Sequence, residues 1–245
     1  MTEAPGTAQQ RLNVLVTGGS GASGVAVARA LREAGHRVFT VGSDQARISA
    51  AAEQAGDGVA PFVCYLARME EVRQLRAEVS AAAGPMDAVI HLVGGWRGAR
   101  GITDQTDEDW DFLERGAITT LRNVSRVFYD DVAASPDGRF AMVSSTAVAK
   151  PSAAAASYAA AKAAAEAWTM AVADGFRRDA GKVDGGTAAA VVLVVKALVD
   201  EGLRRSHPER SFPGATDVGD LARAVVGLFQ APAAELNGSR LLLAP

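Results

Sequence analysis

The chain has 245 residues, of which 49% are hydrophobic and 6% aromatic, and its formal net charge is −3. This length suits one large α/β domain, and an apolar content rich in alanine and valine fits close-packed helices on a buried parallel sheet. The absence of a long basic or acidic block argues against a nucleic acid as the main partner. One cysteine excludes an internal disulfide, and three scattered histidines lack metal-ligand spacing, so we expect no metal site.

The first residues, "MTEAPGTAQQR", are polar and lack the apolar core of a signal peptide, and no apolar run is long enough to cross a bilayer. The sequence therefore predicts a cytoplasmic protein without a membrane partner. Residues 1–10 are expected to be a flexible N-terminus, and residues 11–245 a single domain.

Strand-like and helix-like segments alternate along this domain. Short valine-rich runs predict the strands, and stretches of helical periodicity with glycine stops predict the helices between them. Pro61 is an awkward residue for the middle of the third strand. The repeated order of strand and helix implies a doubly wound α/β fold, with about seven parallel strands and helices on both faces. The predicted strands are residues 12–18, 37–42, 59–66, 87–95, 138–145, a part of 187–199, and 239–245, and the predicted helices are residues 24–35, 44–56, 70–84, 107–132, 153–173 and 217–229.

A glycine-rich segment, "TGGSGASG", joins the first predicted strand to the first predicted helix. Glycine lets the backbone turn tightly and approach a ligand, and a helix N-terminus directs free N–H groups and a positive dipole at an anion. In this place of a βαβ unit, G-x-G-x-x-G predicts a dinucleotide site; the alternative is a glycine-rich turn without a ligand. The predicted cofactor-binding residues here are Thr17, Gly18, Gly19, Ser20, Gly21, Ala22, Ser23 and Gly24.

The end of the second predicted strand bears on the choice between NAD and NADP. NAD-binding folds often place a carboxylate there for the ribose diol, and a carboxylate would repel a 2′-phosphate. Here the position is Gly42, and Ser43 and Arg47 further on could both reach a phosphate. Asp44 could instead bind a ribose hydroxyl, and Arg47 is equally well interpreted as a solvated helix charge. The sequence slightly favours NADP over NAD.

The segment "SYAAAKAAAEAW" interrupts an alanine helix with Tyr158 and Lys162, which the i, i+4 spacing places on one helix face. Ser145, at the end of the fifth predicted strand, precedes Tyr158 by thirteen residues. In a doubly wound sheet, both places border the cofactor crevice, so the three side chains are predicted to converge beside a bound nicotinamide. The alternative is a surface tyrosine and lysine that cover an alanine seam.

With "TGGSGASG", "VSS" and "YAAAK" in this order and spacing, the chain resembles the short-chain dehydrogenase/reductase family over nearly its whole length. The resemblance implies a Rossmann-like fold, a nicotinamide cofactor, and a homodimer or homotetramer in which the fourth and fifth helices pair. It implies that Tyr158 is the general acid in carbonyl reduction and that Ser145 binds the substrate oxygen. Lys162 would hold the nicotinamide ribose and, together with an oxidised nicotinamide, lower the pKa of Tyr158.

Several positions depart from the pattern of the family. "HLVG" replaces its usual N-N-A-G after the fourth strand, Ala117 replaces an asparagine of its proton relay, and "KA" at residues 196–197 replaces its Pro-Gly. His91 is interpreted as a packed strand residue. The basic "LRRSHPER" could attract an anionic substrate, but a solvated lid is the preferred interpretation. Further predicted contacts are Val93 and Gly94 for the cofactor, and Gly95, Trp96, Ala147 and Leu198 for the substrate, with a substrate loop near residues 198–216.

The function predicted from the sequence is NAD(P)-dependent reduction of a small carbonyl substrate, or oxidation of the alcohol, by hydride transfer. The departures motivate two alternatives. One is a dinucleotide-binding sensor or scaffold without turnover, and the other is an isomerase or dehydratase of the same fold. The substrate is not specified by the sequence.

Overall fold

The computed structural model of the chain describes residues 11–180 and 187–243. Within these two ranges, seven strands form one parallel sheet, and two further short strands pair in parallel on their own. The strands are β1 (Asn13–Thr17), β2 (Arg37–Gly42), β3 (Ala60–Val63), β4 (Ala88–His91), β5 (Gly138–Ser145), β6 (Ala188–Val195), β7 (Leu198–Val199), β8 (Thr216–Asp217) and β9 (Ser239–Leu242).

The sheet has the order β3–β2–β1–β4–β5–β6–β9. The chain starts in the middle at β1, builds outward to β3, and then returns to the other side of β1 with β4. This reversal opens a crevice at the carboxyl ends of β1 and β4, where doubly wound sheets bind their ligands. The predicted doubly wound α/β fold of about seven parallel strands is confirmed. The expected flexible N-terminus, residues 1–10, lies outside the described residues, as does the end of the last predicted strand.

Helices cover both faces of the sheet, and two apolar cores result. The helices are α1 (Ala22–Glu33), α2 (Gln45–Ala55), α3 (Met69–Ala83), α4 (Asp107–Glu114), α5 (Thr120–Ala134), α6 (Ala156–Asp179), α7 (Glu201–Ser206), α8 (Val218–Gly227) and α9 (Ala233–Leu236). Leu15 packs on one face beneath α3, α5 and α6, while its neighbours Val14 and Val16 pack on the other beneath α1, α2 and α8. Successive side chains of a strand point to opposite faces, so a strand buried on both sides is apolar throughout.

Pro61 is explained by the position of its strand. β3 ends the sheet and pairs on one side with β2, where Thr40 lies opposite Pro61. An edge strand accepts proline because one row of its backbone groups needs no partner strand. No helix of the described residues is long and apolar enough to cross a bilayer.

Two segments differ from their predictions. The single helix predicted over residues 107–132 is divided by a π-helical turn, Arg115–Thr119, where Thr120 Oγ1 donates to the Gly116 carbonyl at 2.7 Å. The sequence "DEGLRRSHPERSFPGATD", residues 200–217, predicts irregular structure, but it contains α7 and the strand β8. The Asp200 carboxylate caps α7 by accepting the Leu203 N–H at 2.8 Å. An aspartate at this place is a sequence signal for the start of a helix, but the charged residues that follow make it hard to recognise.

Candidate active site

The glycine loop between β1 and α1 is built by close backbone contacts. Gly18 has φ +76°, and a Cβ there would lie 2.8 Å from the Leu92 carbonyl carbon. A Cβ on Gly24 would lie 2.5 Å from the Gly18 oxygen and 2.6 Å from Gly19 Cα. These glycines are therefore required by the fold itself, since they allow the turn and bring the start of α1 against the loop.

Gly21 is different, because the fold gives no reason for its lack of a side chain. Its φ is −89°, which any residue adopts, and the nearest heavy atom to an added Cβ is 3.7 Å away. Gly21 begins α1, whose first helical hydrogen bond runs from the Val25 N–H to the Gly21 carbonyl, so the N–H groups before Val25 have no helical acceptor. The Ser20 Oγ nearby is buried and has no partner in the described part of the chain. A bare backbone, free N–H groups and an unpaired hydroxyl fit a bound pyrophosphate.

A cavity of about 630 Å³ adjoins this loop at the ends of β1 and β2. Arg47 and Arg115 line it, and the described residues that line it include no aspartate or glutamate. Asp44 is engaged elsewhere, since its carboxylate caps α2 by accepting the Arg47 N–H at 2.8 Å. The sequence-predicted residues that line this cavity are Gly18, Ser20, Gly21, Ser43, Arg47, Val93 and Gly94.

A second cavity, of about 770 Å³, lies at the ends of β4, β5 and β6 and shares Leu92, Val93 and Gly94 with the first. Ser145, at the end of β5, and Tyr158 and Lys162, on α6, meet in it. The two cavities form one cleft because the same segment after β4 borders both. The other sequence-predicted residues in this lining are Ser23, Gly94, Gly95, Trp96, Ala147 and Leu198.

Four of the predicted cofactor residues, in contrast, are in the lining of neither cavity. Gly19 packs against Thr40 and Ile48, Gly24 packs against the loop, and Thr17 is buried in a hydrogen bond with His91. These residues shape the site from behind. Ala22 is exposed at the start of α1.

Lys162 is buried almost completely at the floor of the second cavity. Its Nζ donates to the Val143 carbonyl at 2.9 Å, and a Cβ on Gly94 would approach it to 3.2 Å. Burial lowers the pKa of Lys162 to about 8, and the carboxylate of Glu166, one turn further along α6, opposes that change. The lysine is thus cationic at neutral pH and loses its charge in mildly alkaline solution.

Glu166 belongs to a polar cluster behind the cavity. Its Oε1 accepts from Ser144 Oγ at 2.6 Å and from Arg240 at 3.1 Å, and its Oε2 accepts from Arg240 Nε at 2.7 Å. The cluster ties β9 and β5 to α6 next to Ser145 and Lys162. Sequence reasoning missed it because nothing in the local pattern pairs Arg240 with a residue 74 positions away.

Tyr158 is half-buried beside Ser145. Burial raises the pKa of Tyr158, and a hydrogen bond with Ser145 opposes this. This direction is opposite to the lowering of the Tyr158 pKa that the family resemblance implies for a protein with an oxidised nicotinamide bound. Ser145 Oγ also accepts the Ala147 N–H at 3.2 Å, which fixes its position at the end of β5.

His91 is buried between the two cavities and the core. Its Nδ1 lies 2.8 Å from Thr17 Oγ1, and its Nε2 lies 3.2 Å from Thr120 Oγ1. Because Thr120 gives its proton to the Gly116 carbonyl, Nε2 must be the donor and Nδ1 the acceptor from Thr17. Burial, with the nearby charge of Lys162, lowers the pKa of His91 to about 3, so the ring is neutral. This agrees with its interpretation as a packed strand residue.

The fourth-helix position that the family resemblance associates with a proton relay is apolar here. Ala117 lies in the π-helical turn and packs with Leu113 and Ala161 against Tyr158. The relay side chain is therefore absent at this place, although the π-helical turn keeps the backbone irregular next to Tyr158. In the described residues, no group of three or more histidine, cysteine, aspartate or glutamate side chains is placed to hold a metal ion.

Fold and site together define an α/β protein of the Rossmann-like, nucleotide-binding type, with a serine, a tyrosine and a lysine in one part of its cleft. A family model described as short chain dehydrogenase matches residues 12–185, which is more than half of the chain. The chain belongs to the short-chain dehydrogenase/reductase family. It is accordingly an oxidoreductase of a family that uses NAD or NADP.

Known proteins with similar sequences agree with this assignment. Acetoacetyl-CoA reductase of Shinella zoogloeoides is 28% identical over 236 residues, which are 93% of this chain and 94% of the relative. Nodulation protein G of Rhizobium meliloti (strain 1021) is 29% identical over 133 residues, and this match spans only 54% of either chain.

Solved structures with low sequence identity share the fold. An NADPH-bound short chain oxidoreductase from Pseudomonas aeruginosa PAO1, described as having an atypical catalytic center, has a TM-score of 0.82 at 20% identity and 95% coverage of both chains. NAD⁺-bound xylitol dehydrogenase has a TM-score of 0.80 at 18% identity, with 95% of this chain and 97% of that chain covered.

Proposed function

We propose that the protein reduces the carbonyl group of a small molecule with NADPH, with Tyr158 as the general acid. The observation that carries this proposal is the meeting of Ser145, Tyr158 and Lys162 in one cavity that continues into the glycine-loop cleft. The reductase among the relatives, whose name gives acetoacetyl-CoA as its substrate, supports reduction as the direction.

A bound nicotinamide supplies the hydride, and the chain supplies position and a proton. Ser145 Oγ donates a hydrogen bond to the substrate oxygen, where negative charge develops. The Tyr158 hydroxyl gives its proton to that oxygen, and burial, which raises its pKa, keeps it protonated beforehand. Lys162 directs its ammonium into the cleft, where it binds ribose hydroxyls and stabilises the phenolate that Tyr158 becomes.

The preference for NADPH rests on the first cavity. Ser43, Arg47 and Arg115 line it without an aspartate or glutamate in the described lining, so a 2′-phosphate meets donors and positive charge. Asp44, the residue that could favour NAD, is occupied as the cap of α2. Of the two structural neighbours described above, one holds NADPH and the other NAD⁺, so they leave both cofactors open.

Cofactor titration with variants tests the proposed function. The purified protein is titrated with NADPH and with NADH by fluorescence, and a panel of carbonyl compounds is then assayed by the loss of reduced-cofactor absorbance. We expect tighter binding of NADPH and turnover that falls at least about 1,000-fold in Tyr158→Phe, which keeps the ring and removes the proton. Tyr129→Phe, in which a tyrosine outside the cleft loses its hydroxyl, is the matched control.

Each alternative has its own outcome in this experiment. Binding without turnover of any carbonyl would favour a dinucleotide-binding sensor. A change of substrate at constant cofactor absorbance would favour an isomerase or dehydratase. No binding of either cofactor would overturn the interpretation of the glycine loop.

We also propose that copies of the chain assemble through α5 and α6 into a homodimer or homotetramer. The solvent-facing side of α6 is a stripe of alanines that permits close helix approach, and light scattering coupled to size exclusion measures the assembly. The cytoplasmic location and the substrate loop near residues 198–216 stay predictions. The exposed alanines of the stripe are Ala160, Ala163, Ala164, Ala167 and Ala171.

A further inference from the structure

The distribution of lysine in this chain is uneven. Of its 25 lysine and arginine residues, four are lysines, namely Lys150, Lys162, Lys182 and Lys196. Three of the four line the cavity that contains Tyr158, and the fourth, Lys182, lies outside the described residues. Everywhere else in the described residues, positive charge is carried by arginine. The reaction assigned to the site uses Lys162 and leaves Lys150 and Lys196 without a role.

Both of these lysines stand where a substrate enters. Lys150 follows the end of β5, and Lys196 follows β6 at the place where the family pattern has proline, so both are at the carboxyl edge of the sheet. Lys196 Nζ donates one hydrogen to the Pro213 carbonyl at 2.8 Å, which leaves two N–H donors and anchors the side chain at the rim. The Lys150 ammonium has no partner among the described residues.

The charge of this cavity is unbalanced. Its described lining contains three lysines and no aspartate or glutamate. The Glu166 carboxylate, one turn from Lys162 on α6, is outside this lining and already accepts from Ser144 and Arg240. Lys150 and Lys196 are exposed at the rim of the cavity, where a bound anion reduces the repulsion among the three like charges and gains charge-assisted hydrogen bonds.

The phosphates of the dinucleotide do not account for the two lysines. Lys150 and Lys196 line the cavity of Tyr158, whereas the arginines Arg47 and Arg115 line the other cavity, beside the glycine loop. We propose that Lys150 and Lys196 form an anion subsite, and that the substrate is a carbonyl compound bearing a carboxylate or a phosphate. This proposal rests on the proposed function, since it names the substrate class of the same cavity.

Matched substrate pairs test the subsite by kinetics. The pairs are levulinate with methyl levulinate, and dihydroxyacetone phosphate with dihydroxyacetone, so that each anion is compared with a neutral compound of similar shape. With saturating NADPH, we expect kcat/KM for at least one anion to exceed that of its neutral partner about tenfold or more. The larger ratio of the two pairs distinguishes a carboxylate from a phosphate.

Variants distinguish the direct binding of an anion by Lys150 and Lys196 from the general effect of the positive charge of the protein. Lys150→Gln with Lys196→Gln should lower kcat/KM for the preferred anion about tenfold or more and change that of its neutral partner by less than about twofold. Arg177→Gln, at the exposed C-terminal end of α6, removes a positive charge from outside the cavity lining and is the control. Lys150→Arg with Lys196→Arg should restore part of the preference, since charge and donors return.

Calorimetric binding to the Tyr158→Phe protein with NADPH decides the subsite even if no carbonyl is turned over. The subsite is supported if an anion binds more tightly than its neutral partner and this difference is lost in the variant with both Lys→Gln substitutions. That result supports the subsite even when no carbonyl is turned over and the proposed function fails. Three outcomes would overturn the subsite. The first is equal binding or turnover of the anion and its neutral partner in both pairs, and the second is that neither anion binds. The third is that the two Lys→Gln substitutions weaken the binding of NADPH instead of the binding of the anion.

Discussion

Lys162 carries an ammonium group at a place that disfavours charge. The side chain is nearly fully buried, and its pKa is lowered to about 8 because burial outweighs the attraction of Glu166. In the described part of the chain its ammonium donates one hydrogen bond, to the Val143 carbonyl, so two donors remain for a ligand. The residue is therefore both charged and available in the neutral pH range.

The affinity for NADPH should depend on this charge. Below pH about 8 the lysine is an ammonium ion in the free protein, and as the pH rises through 8 the charge is lost, so Kd for NADPH should rise by about tenfold at pH 9.5. Fluorescence titrations from pH 6 to 9.5 measure this. Lys162→Ala should bind more weakly and show no step near pH 8, and a flat wild-type profile would contradict the assigned role.

At the scale of single elements, the glycine loop combines two kinds of glycine. Gly18 and Gly24 are required by backbone contacts, whereas Gly21 has space around it and an ordinary φ. In the sequence motif these three glycines cannot be told apart, because the motif records only that each position is glycine. The predicted motif could therefore locate the loop, but the distinction between a packing glycine and a ligand-facing glycine depends on which atoms lie around each one.

Two substitutions should separate these roles. In Gly24→Ala, the new Cβ would meet backbone atoms at 2.5 and 2.6 Å, so the free energy of unfolding should fall by about 2 kcal/mol or more. Gly21→Ser places a good N-cap residue in open space and should stay within about 0.5 kcal/mol of the wild type, while NADPH binds at least about tenfold more weakly. Urea unfolding and cofactor titration measure both, and unchanged binding in Gly21→Ser would disprove that Gly21 faces the cofactor.

At the scale of the whole molecule, buried polar groups connect the sheet to the helices around the cleft. His91 joins β1 to the start of α5 through Thr17 and Thr120, and Glu166 joins β5 and β9 to α6. Such networks are stable when every member is satisfied, and they are sensitive to any change of charge. The stability of the protein should accordingly respond to acid through His91.

A buried neutral histidine makes unfolding easier in acid. The pKa of His91 is about 3 in the folded protein and about 6.5 when unfolded, so the unfolded state binds the extra proton and stability falls as pH drops from 6.5 towards 3. The protonation of His91 in the unfolded state therefore lowers the free energy of unfolding by about 2 kcal/mol between pH 7.5 and 5.

Urea unfolding of variants isolates the contribution of His91. Between the two pH values, the free energy of unfolding of His91→Asn should fall by about 2 kcal/mol less than that of the wild type. Burial also lowers the pKa of His36, which is present in both proteins and so cancels in the comparison. His207→Asn, at an exposed position, is the control and should behave as the wild type. Equal acid sensitivity of His91→Asn and the wild type would contradict the assignment.

The sequence alone determined the order of the seven sheet strands and of the long helices between them, the doubly wound sheet and the family. These follow from local information: apolar runs, helical periodicity, glycine stops and short motifs at fixed spacing. Strands β2 and β5 agree with their predictions to the residue. The long fourth helix did not, because a π-helical turn does not change the apolar periodicity enough to be recognised.

Only the tertiary structure decided how distant residues share one site. Ser145 and Tyr158 were predicted together because the end of the fifth strand and the following helix border one crevice, whereas Lys150 and Lys196 belong to no motif and line one cavity only when β5 and β6 lie side by side. The same holds for Glu166 with Arg240 and for the edge position of Pro61. Contacts of this kind depend on strand order and on the packing of helices against the sheet, and neither leaves a periodic signal in the sequence.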